Sequence, residues 1–319
     1  MQNIPRLLLW TDMPGPYVEA IHAAGLSDRV SIDLLGRKDK PSDRQRAETH
    51  VLLTAGVAPG LLPSMPNLRW AQALTAGVEG WLALPDLPPG LTLTCARGTH
   101  RESMPENILG ALFHITKPFA AAAEDQKQSL WRQRIAVPLN GKTLGILGLG
   151  AIGQEVARLA TALGMRVIGT KRRPGALPGL AEVLPADRTN EVLQQSDYVL
   201  LLLPATPETA NFIDAERLGH MRPEAWLLNF GRGHLIKDDD LIAAVTAKRI
   251  AGAVLDVFRQ EPLPKEHNFW STEGILVLPH IGGPHPDRDR IVARLFVENL
   301  GRFLDDQPLK EVVDRAAGY

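Results

Sequence analysis

One stretch, Lys142–Arg173 (K-T-L-G-I-L-G-L-G-A-I-G-Q-E-V-A-R-L-A-T-A-L-G-M-R-V-I-G-T-K-R-R), constrains this chain more than any other. Thr143–Leu147 is a short apolar run of strand length. Gly148, Gly150 and Gly153 follow at G-x-G-x-x-G spacing. A helical pattern from Ile152 to Leu163 places Ile152, Val156, Leu159 and Leu163 on one face, and Met165–Gly169 reads as a second strand. Strand, glycine loop, helix and strand within about thirty residues is the setting in which this spacing predicts a dinucleotide-binding unit. Gly148 allows the tight turn, Gly150 lets the backbone approach a pyrophosphate, and Gly153 lets helix and strand pack closely. The helix start, at Ala151 and Ile152, then offers N–H groups and a positive dipole end to the phosphates. The alternative is a glycine-rich turn that binds nothing.

The end of the second strand bears on which dinucleotide. Sites that prefer NAD carry Asp or Glu there, accepting hydrogen bonds from the ribose hydroxyls. Here the position is Lys171, followed by Arg172 and Arg173. A carboxylate would repel the extra phosphate of NADP, whereas ammonium and guanidinium groups bind it with charge-assisted hydrogen bonds. The turn therefore predicts NADPH, with NADH as the alternative cofactor and a solvated basic turn as the bland reading.

At 319 residues the chain is long enough for two domains with separate cores. A formal net charge of −1 gives no general affinity for nucleic acid or an acidic membrane. The single cysteine, Cys95, rules out an intramolecular disulfide framework and a cysteine cluster for zinc. In the strand L-T-L-T-C it reads as a buried, inert thiol. No His or carboxylate cluster has metal-ligand spacing. The N-terminus lacks the layout of a signal peptide and no segment is apolar enough over a sufficient length to cross a bilayer, so the expected location is cytoplasmic.

Before the glycine unit, strands are expected at Arg6–Trp10, Val30–Leu34, His50–Thr54, Arg69–Leu74 and Leu91–Cys95, with a helix at Pro16–Ala24. Strands alternating with short helices predict a mostly parallel sheet. The run Arg37-Lys38-Asp39-Lys40 reads as a solvated turn. Two small-residue loops follow strand ends, Thr54-Ala55-Gly56 and Thr75-Ala76-Gly77-Val78; the second is a candidate carboxylate cradle. A long helix is expected from Ser103 to about Ala123, with a Ser103/Glu106 capping box and an interruption at Pro118. After Arg173 the chain reads as loop to Pro185, then as a helix at Thr189–Gln195 and strands at Asp197–Leu203, Ala225–Phe230, Gly252–Val257 and Ile275–Leu278. Helices are expected at Asp214–Met221, Asp238–Lys248 and Asp287–Leu304, the last returning to the first domain. The predicted fold class is α/β with two doubly wound parallel-sheet domains. A Rossmann cofactor domain, 102–283, is inserted in a flavodoxin-like substrate domain built from 1–101 and 284–319.

Arg232, Glu261 and His280 each lie at or just beyond the carboxyl end of a successive strand, so all three can converge where a nicotinamide would lie. Reduction of a 2-keto acid needs a cation for the carboxylate and the polarised carbonyl, which an arginine fork supplies. It needs a general acid with a near-neutral pKa for the nascent alkoxide, a histidine role. A carboxylate on the other imidazole nitrogen would fix the tautomer and favour the protonated ring, which is a place for Glu261.

The motifs G-L-G-A-I-G, L-L-L-P-A-T-P-E-T, N-F-G-R-G, V-L-D-V-F-R-Q-E-P-L-P and L-P-H-I-G-G, in this order and spacing, strongly resemble the D-isomer-specific 2-hydroxyacid dehydrogenases along the whole chain. The resemblance implies Arg232 as substrate-orienting residue, His280 as acid/base and Glu261 as its partner. It further implies that Asp256 holds the nicotinamide amide, that Pro204 and Thr209 border the cofactor, and that Ala76 and Gly77 offer N–H groups to the substrate carboxylate. The family has the inserted cofactor domain and typically forms homodimers through it. In some members a Trp before the glycine loop helps close the neighbour's site, so Trp131 has two readings, that role or a core position. With its basic turn the chain is most similar to NADPH-preferring glyoxylate/hydroxypyruvate reductases. It departs from the pattern at Asn107, where many members carry His or an aromatic residue, and at Gly283, where a small side chain is common. The expected activity is hydride transfer from NADPH to a small 2-keto acid, with His280 as proton donor and domains that close over the substrate. Two alternatives stay open: an NADH-preferring enzyme for a bulkier 2-hydroxy acid, and a non-enzymatic cofactor-sensing protein on the same fold.

Overall fold

Apolar runs of three to six residues recur through the first hundred positions, too short for helices and separated by turn formers. In the computed structural model, which describes residues 4–318, they pair as strands β1 (Arg6–Trp10), β2 (Ser31–Leu35), β3 (Thr49–Thr54), β4 (Trp70–Ala73) and β5 (Thr92–Thr94). Helices α1 (Gly15–Ala23), α2 (Asp43–Glu48) and α3 (Glu79–Leu82) alternate with them. All pairings are parallel and the spatial order is β2-β1-β3-β4-β5, the flavodoxin-like order. Alternation along the strands sends Leu7, Leu9, Val51 and Leu53 to one face and Leu8, Leu52, Ala71 and Ala73 to the other, and both faces are covered.

The chain then enters a second unit with α4 (Ser103–Thr116) and α5 (Phe119–Lys127). The break between them falls at Lys117 and Pro118, where a proline ring is incompatible with a continuing helix. The capping box expected at Ser103 is not formed. Ser103 is already helical and the preceding Glu102 sits in the right-handed helical region, not in the extended conformation a capping side chain needs.

Next come β6 (Thr143–Leu147), α6 (Ala151–Ala162), β7 (Arg166–Thr170), β8 (Glu182–Leu184), α7 (Thr189–Gln195), β9 (Tyr198–Leu201), α8 (Ala215–His220), β10 (Trp226–Asn229), α9 (Asp238–Thr246), β11 (Gly252–Leu255) and β12 (Ile275–Val277). They form a seven-stranded parallel sheet in the order β12-β11-β10-β9-β6-β7-β8, a Rossmann arrangement with its reversal between β6 and β9. Strand β8 corrects the expectation of a continuous loop from Arg173 to Pro185. It is three residues long, too short for any periodicity, and is recruited by the edge of β7. The buried stripe of α6 also differs from expectation. Gly153, Val156, Ala157 and Ala160 face inward, Ile152 and Leu159 lie at the margin, and Leu163 is exposed. Close approach to the sheet selects the small residues over the large ones.

Helix α10 (Arg288–Leu304) returns the chain to the first unit. Its fully buried Phe296 stacks on Trp70 at 5.2 Å and meets Tyr17 edge-on at 6.2 Å. Such aromatic pairs contribute about 1 kcal/mol each beyond area burial. The chain therefore divides into two compact units, Met1–Thr99 with His285–Tyr319, and His100–Pro284. Among the described residues no helix is long and apolar enough to cross a membrane.

Candidate active site

Because every strand of the larger sheet runs the same way, its carboxyl ends line one edge. The register aligns Thr170, Leu147, Leu201, Asn229, Leu255 and Val277 across the sheet. The residues singled out in that unit all follow this row: the glycine loop after β6, Lys171–Arg173 after β7, Pro204 and Thr209 after β9, Arg232 after β10, Asp256 and Glu261 after β11, and His280 after β12.

At the reversal point Gly148 has φ +110°, and a Cβ there would sit 2.8 Å from the backbone of Leu202, so glycine is required twice over. A Cβ on Gly153 would come within 2.5 Å of the Gly148 carbonyl oxygen, which fixes how closely α6 approaches the turn. Gly150 differs. A Cβ there meets nothing within 4 Å, so no packing demands glycine. It is the N-cap of α6 and supplies no side-chain cap, which leaves the first-turn N–H groups at Ala151 and Ile152 to point outward. A bare helix start beside a glycine that packing does not require fits a pyrophosphate cradle. Lys171 is anchored by its backbone N–H to the Leu184 carbonyl at 3.0 Å, while Arg172 and Arg173 are exposed. In the loop after β9, the Thr209 hydroxyl donates to the Pro204 carbonyl at 2.7 Å and accepts from the Thr206 N–H at 2.8 Å. Strand β9 stops at Leu201, three residues before Pro204, so both residues belong to that loop.

His280 Nδ1 lies 2.7 Å from Glu261 Oε2, and the other Glu261 oxygen accepts from the Phe258 N–H at 2.9 Å. The carboxylate is thus held at one end by backbone and at the other by the imidazole. Nε2 is the ring nitrogen left for chemistry. His280 itself has φ +52°, a left-handed conformation that costs a side-chain-bearing residue about 1 kcal/mol and that the surrounding contacts must impose. Asp256 supplies two of those contacts. Its Oδ1 accepts from Ile281 N–H at 2.8 Å and Gly282 N–H at 3.1 Å. Burial raises its carboxyl pKa to about 6, against the lowering effect of these N–H groups and of His280 nearby.

Arg232 lies in a turn built by two glycines and one asparagine. A Cβ on Gly231 would stand 2.9 Å from the Leu203 carbonyl oxygen, and one on Gly233 would overlap the Phe258 carbonyl. The fully buried Asn229 donates from Nδ2 to the Arg232 carbonyl at 3.0 Å and accepts from the Gly231 N–H at 3.1 Å. Sequence reasoning missed Asn229; its signal was a polar residue closing the apolar strand W-L-L-N. Asn107 was noted only as a departure. Its amide donates to the carbonyls of Ile281 at 3.3 Å and Gly282 at 3.0 Å, so it braces the loop that carries His280.

In the smaller unit, the Thr75 hydroxyl turns back to the Gly77 carbonyl at 2.6 Å, shaping the Ala76-Gly77 loop after β4. Arg288 on α10 donates to the Leu74 carbonyl at the base of that loop, and Asp289 ties Arg288 to the Tyr17 hydroxyl at 3.0 and 2.7 Å. This bracing arginine also went unnoticed in the sequence. Cys95 is buried, and burial pushes its thiol pKa up. Trp131 is 99% exposed, which overturns the core reading for it.

Residues 109–282 match the model of a family described as D-isomer specific 2-hydroxyacid dehydrogenase, NAD binding domain. Glyoxylate/hydroxypyruvate reductase A of Serratia proteamaculans is 32% identical over 268 residues, 81% of this chain and 84% of that protein. A solved D-isomer specific 2-hydroxyacid dehydrogenase family protein from Aeromonas salmonicida superposes with a TM-score of 0.87 at 33% identity, covering 98% of this chain and 99% of that one. The NADPH-dependent glyoxylate/hydroxypyruvate reductase of Sinorhizobium meliloti, solved in complex with NADP and sulfate, superposes with a TM-score of 0.85 at 26% identity, covering 99% and 100%.

Proposed function

The chain belongs to the D-isomer-specific 2-hydroxyacid dehydrogenase family, and from that premise we propose that it reduces a small 2-keto acid such as glyoxylate or hydroxypyruvate, with NADPH as the preferred reductant. The observation that carries this reading is the 2.7 Å His280–Glu261 pair on the same sheet edge as the Arg232 turn and the glycine loop. Bound reduced nicotinamide supplies the hydride. Glu261 holds the imidazole through Nδ1, so His280 delivers the proton from Nε2 to the nascent alkoxide. The Arg232 guanidinium orients the substrate carboxylate and polarises its carbonyl, and the Ala76 and Gly77 N–H groups take the carboxylate. Gly148–Gly153 and the start of α6 hold the pyrophosphate, Asp256 holds the nicotinamide amide, and Pro204 and Thr209 border the cofactor.

The NADPH preference rests on Lys171, Arg172 and Arg173, where an NAD-preferring site would carry a carboxylate. The S. meliloti relative named as NADPH-dependent supports it. A homodimer through the cofactor-binding unit is supported by Trp131 and Ile135, 99% and 95% exposed after α5, with Phe119 on α5 also exposed.

The test is loss of reduced-nicotinamide absorbance with NADPH and NADH in parallel, against glyoxylate, hydroxypyruvate, pyruvate and a bulky keto acid. Faster turnover of the small acids with NADPH is expected. Turnover with NADH alone removes the cofactor assignment, and silence across the panel removes the small-acid reading in favour of another substrate or the non-enzymatic alternative.

A further inference from the structure

The smaller unit has its own pocket of about 600 Å³ at the carboxyl edge of its sheet, the edge at which open parallel sheets bind ligands. A two- or three-carbon keto acid would occupy a small part of a volume that lies in the range of larger ligands. One wall is the loop of Thr75 and Gly77, assigned above to the substrate carboxylate. Trp10 and Trp81 also line it, each pinned through its indole N–H: Trp10 to the Gly36 carbonyl at 2.9 Å and Trp81 to the Ala55 carbonyl at 3.3 Å. Another wall is the run Arg37-Lys38-Asp39-Lys40, three cations against one carboxylate, and among the described residues these are the charged ones that line the pocket. The sequence alone offers this run as a plain solvated turn. It is exposed, as a turn should be, and it also faces the pocket.

The loop's shape does not depend on its charges. The Arg37 N–H donates to Asp12 Oδ1 at 2.8 Å, the Asp39 N–H donates to the Gly36 carbonyl at 3.0 Å, and Trp10 holds Gly36. The backbone thus sets the turn and the cationic side chains are left for another use. Cations on the wall of a pocket that also has a carboxylate-binding loop select for a ligand with two separated anionic groups.

We propose that the natural substrate is a 2-keto acid with a second anionic group, carboxylate or phosphate, at its far end, held by Arg37, Lys38 and Lys40. This rests on the reading of the protein as a 2-keto acid reductase and moves its natural substrate beyond glyoxylate and hydroxypyruvate, which lack the second anionic group.

The test compares 2-ketoglutarate with 2-ketohexanoate, a chain with an uncharged tail, and hydroxypyruvate with its phosphate monoester. Wild type is set against the triple variant Arg37→Ala/Lys38→Ala/Lys40→Ala. The expected result is a kcat/KM preference of about tenfold for the anionic tail at low salt, shrinking as salt screens it. The triple variant should lose that preference, mostly through KM, and keep the uncharged-tail acid within about twofold of wild type. Whichever of the two pairs gives the larger ratio identifies the distal group as carboxylate or phosphate. Equal kcat/KM for charged and uncharged tails in wild type overturns the proposal while the reductase reading stands. Calorimetric titration of 2-ketoglutarate, without nucleotide, separates the opposite case. If no acid is turned over yet wild type binds 2-ketoglutarate about tenfold more tightly than the variant, the anion site stands and the reductase reading falls. No difference in binding as well as in turnover overturns the site.

Discussion

Asp256 lies beside the proposed acid/base and should make the larger unit's stability depend on pH in an uncommon direction. Its carboxyl is 1% exposed and titrates at about 6 rather than 3.8. Burial is the largest cause, opposed by the N–H groups of Ile281 and Gly282 and by His280. A raised carboxyl pKa means that the folded protein binds this proton more tightly than the unfolded chain does. The resulting stability is complete below pH about 4 and is lost as pH rises through about 6. A shift of about two units, at 1.36 kcal/mol per unit, makes this contribution fall by about 2 kcal/mol between pH 4 and pH 7. Asp256→Asn removes the ionisation. Its amide oxygen, in the place of Oδ1, can still accept from Ile281 N–H and from Gly282 N–H, but an NH₂ replaces Oδ2, the second acceptor of Gly282 N–H at 3.0 Å. Urea unfolding of both proteins without nucleotide, from pH 4.5 to 7.5, cancels in the difference the titrating groups that do not interact with Asp256. The variant should gain on wild type by about 2 kcal/mol across that range. Its Gly282 amide should also exchange hydrogen faster, because it loses an acceptor. Parallel curves, with a difference constant to within about 0.5 kcal/mol, would refute the reasoning that Asp256 is buried at the cost of its charge.

Replacing Lys171, Arg172 and Arg173 together by Ala should raise the KM for NADPH about thirtyfold, the loss of roughly 2 kcal/mol of charge-assisted binding, and leave NADH within about twofold; steady-state kinetics with both nucleotides measures it. His280→Ala should lower kcat by 10²- to 10⁴-fold while circular dichroism and melting stay near wild type, and Glu261→Gln should lower kcat about 10²-fold with KM nearly unchanged. Gly233→Ala forces a Cβ into the Phe258 carbonyl, a backbone atom that cannot step aside. It should cost about 3 kcal/mol or more and lower Tm by on the order of 10 °C in a thermal melt. Trp131→Ala should weaken the proposed homodimer with the fold intact, as read by sedimentation velocity across a concentration series.

The two sheets were legible because parallel strands covered on both faces must be continuously apolar, and V-L-L-L-L or T-L-G-I-L can hardly be anything else. Strand ends were less so. The run Asp197–Leu203 is apolar past Leu201, yet the strand ends there, after a last hydrogen bond from the Leu202 N–H to the Leu147 carbonyl at 2.9 Å. Strand β8 and the uncapped start of α4 were illegible for a related reason: each depends on a neighbour, the edge of β7 or the preceding turn, and not on its own residues.

The site divides along the same line. The roles proposed for Gly148, Arg232, Glu261 and His280 follow from what their own residue types can do, so spacing along the chain was enough to propose them. Asn229, Asn107 and Arg288 act through where other segments come to lie: under the Arg232 turn, behind the His280 loop, and at the base of the Ala76-Gly77 loop. Each donates to a backbone carbonyl, a partner every residue possesses, so no pairing of residue types along the chain could have announced the contact. Arg37–Lys40 are the intermediate case. Their charge was plain in the sequence, but only the fold turns that charge toward a pocket. Substrate selectivity belongs to this class, since it depends on which side chains border one volume. The proposed chemistry of His280 can therefore be argued from its own residue type and its Glu261 partner, while the identity of the acid waits on residues such as Lys38, whose meaning is positional.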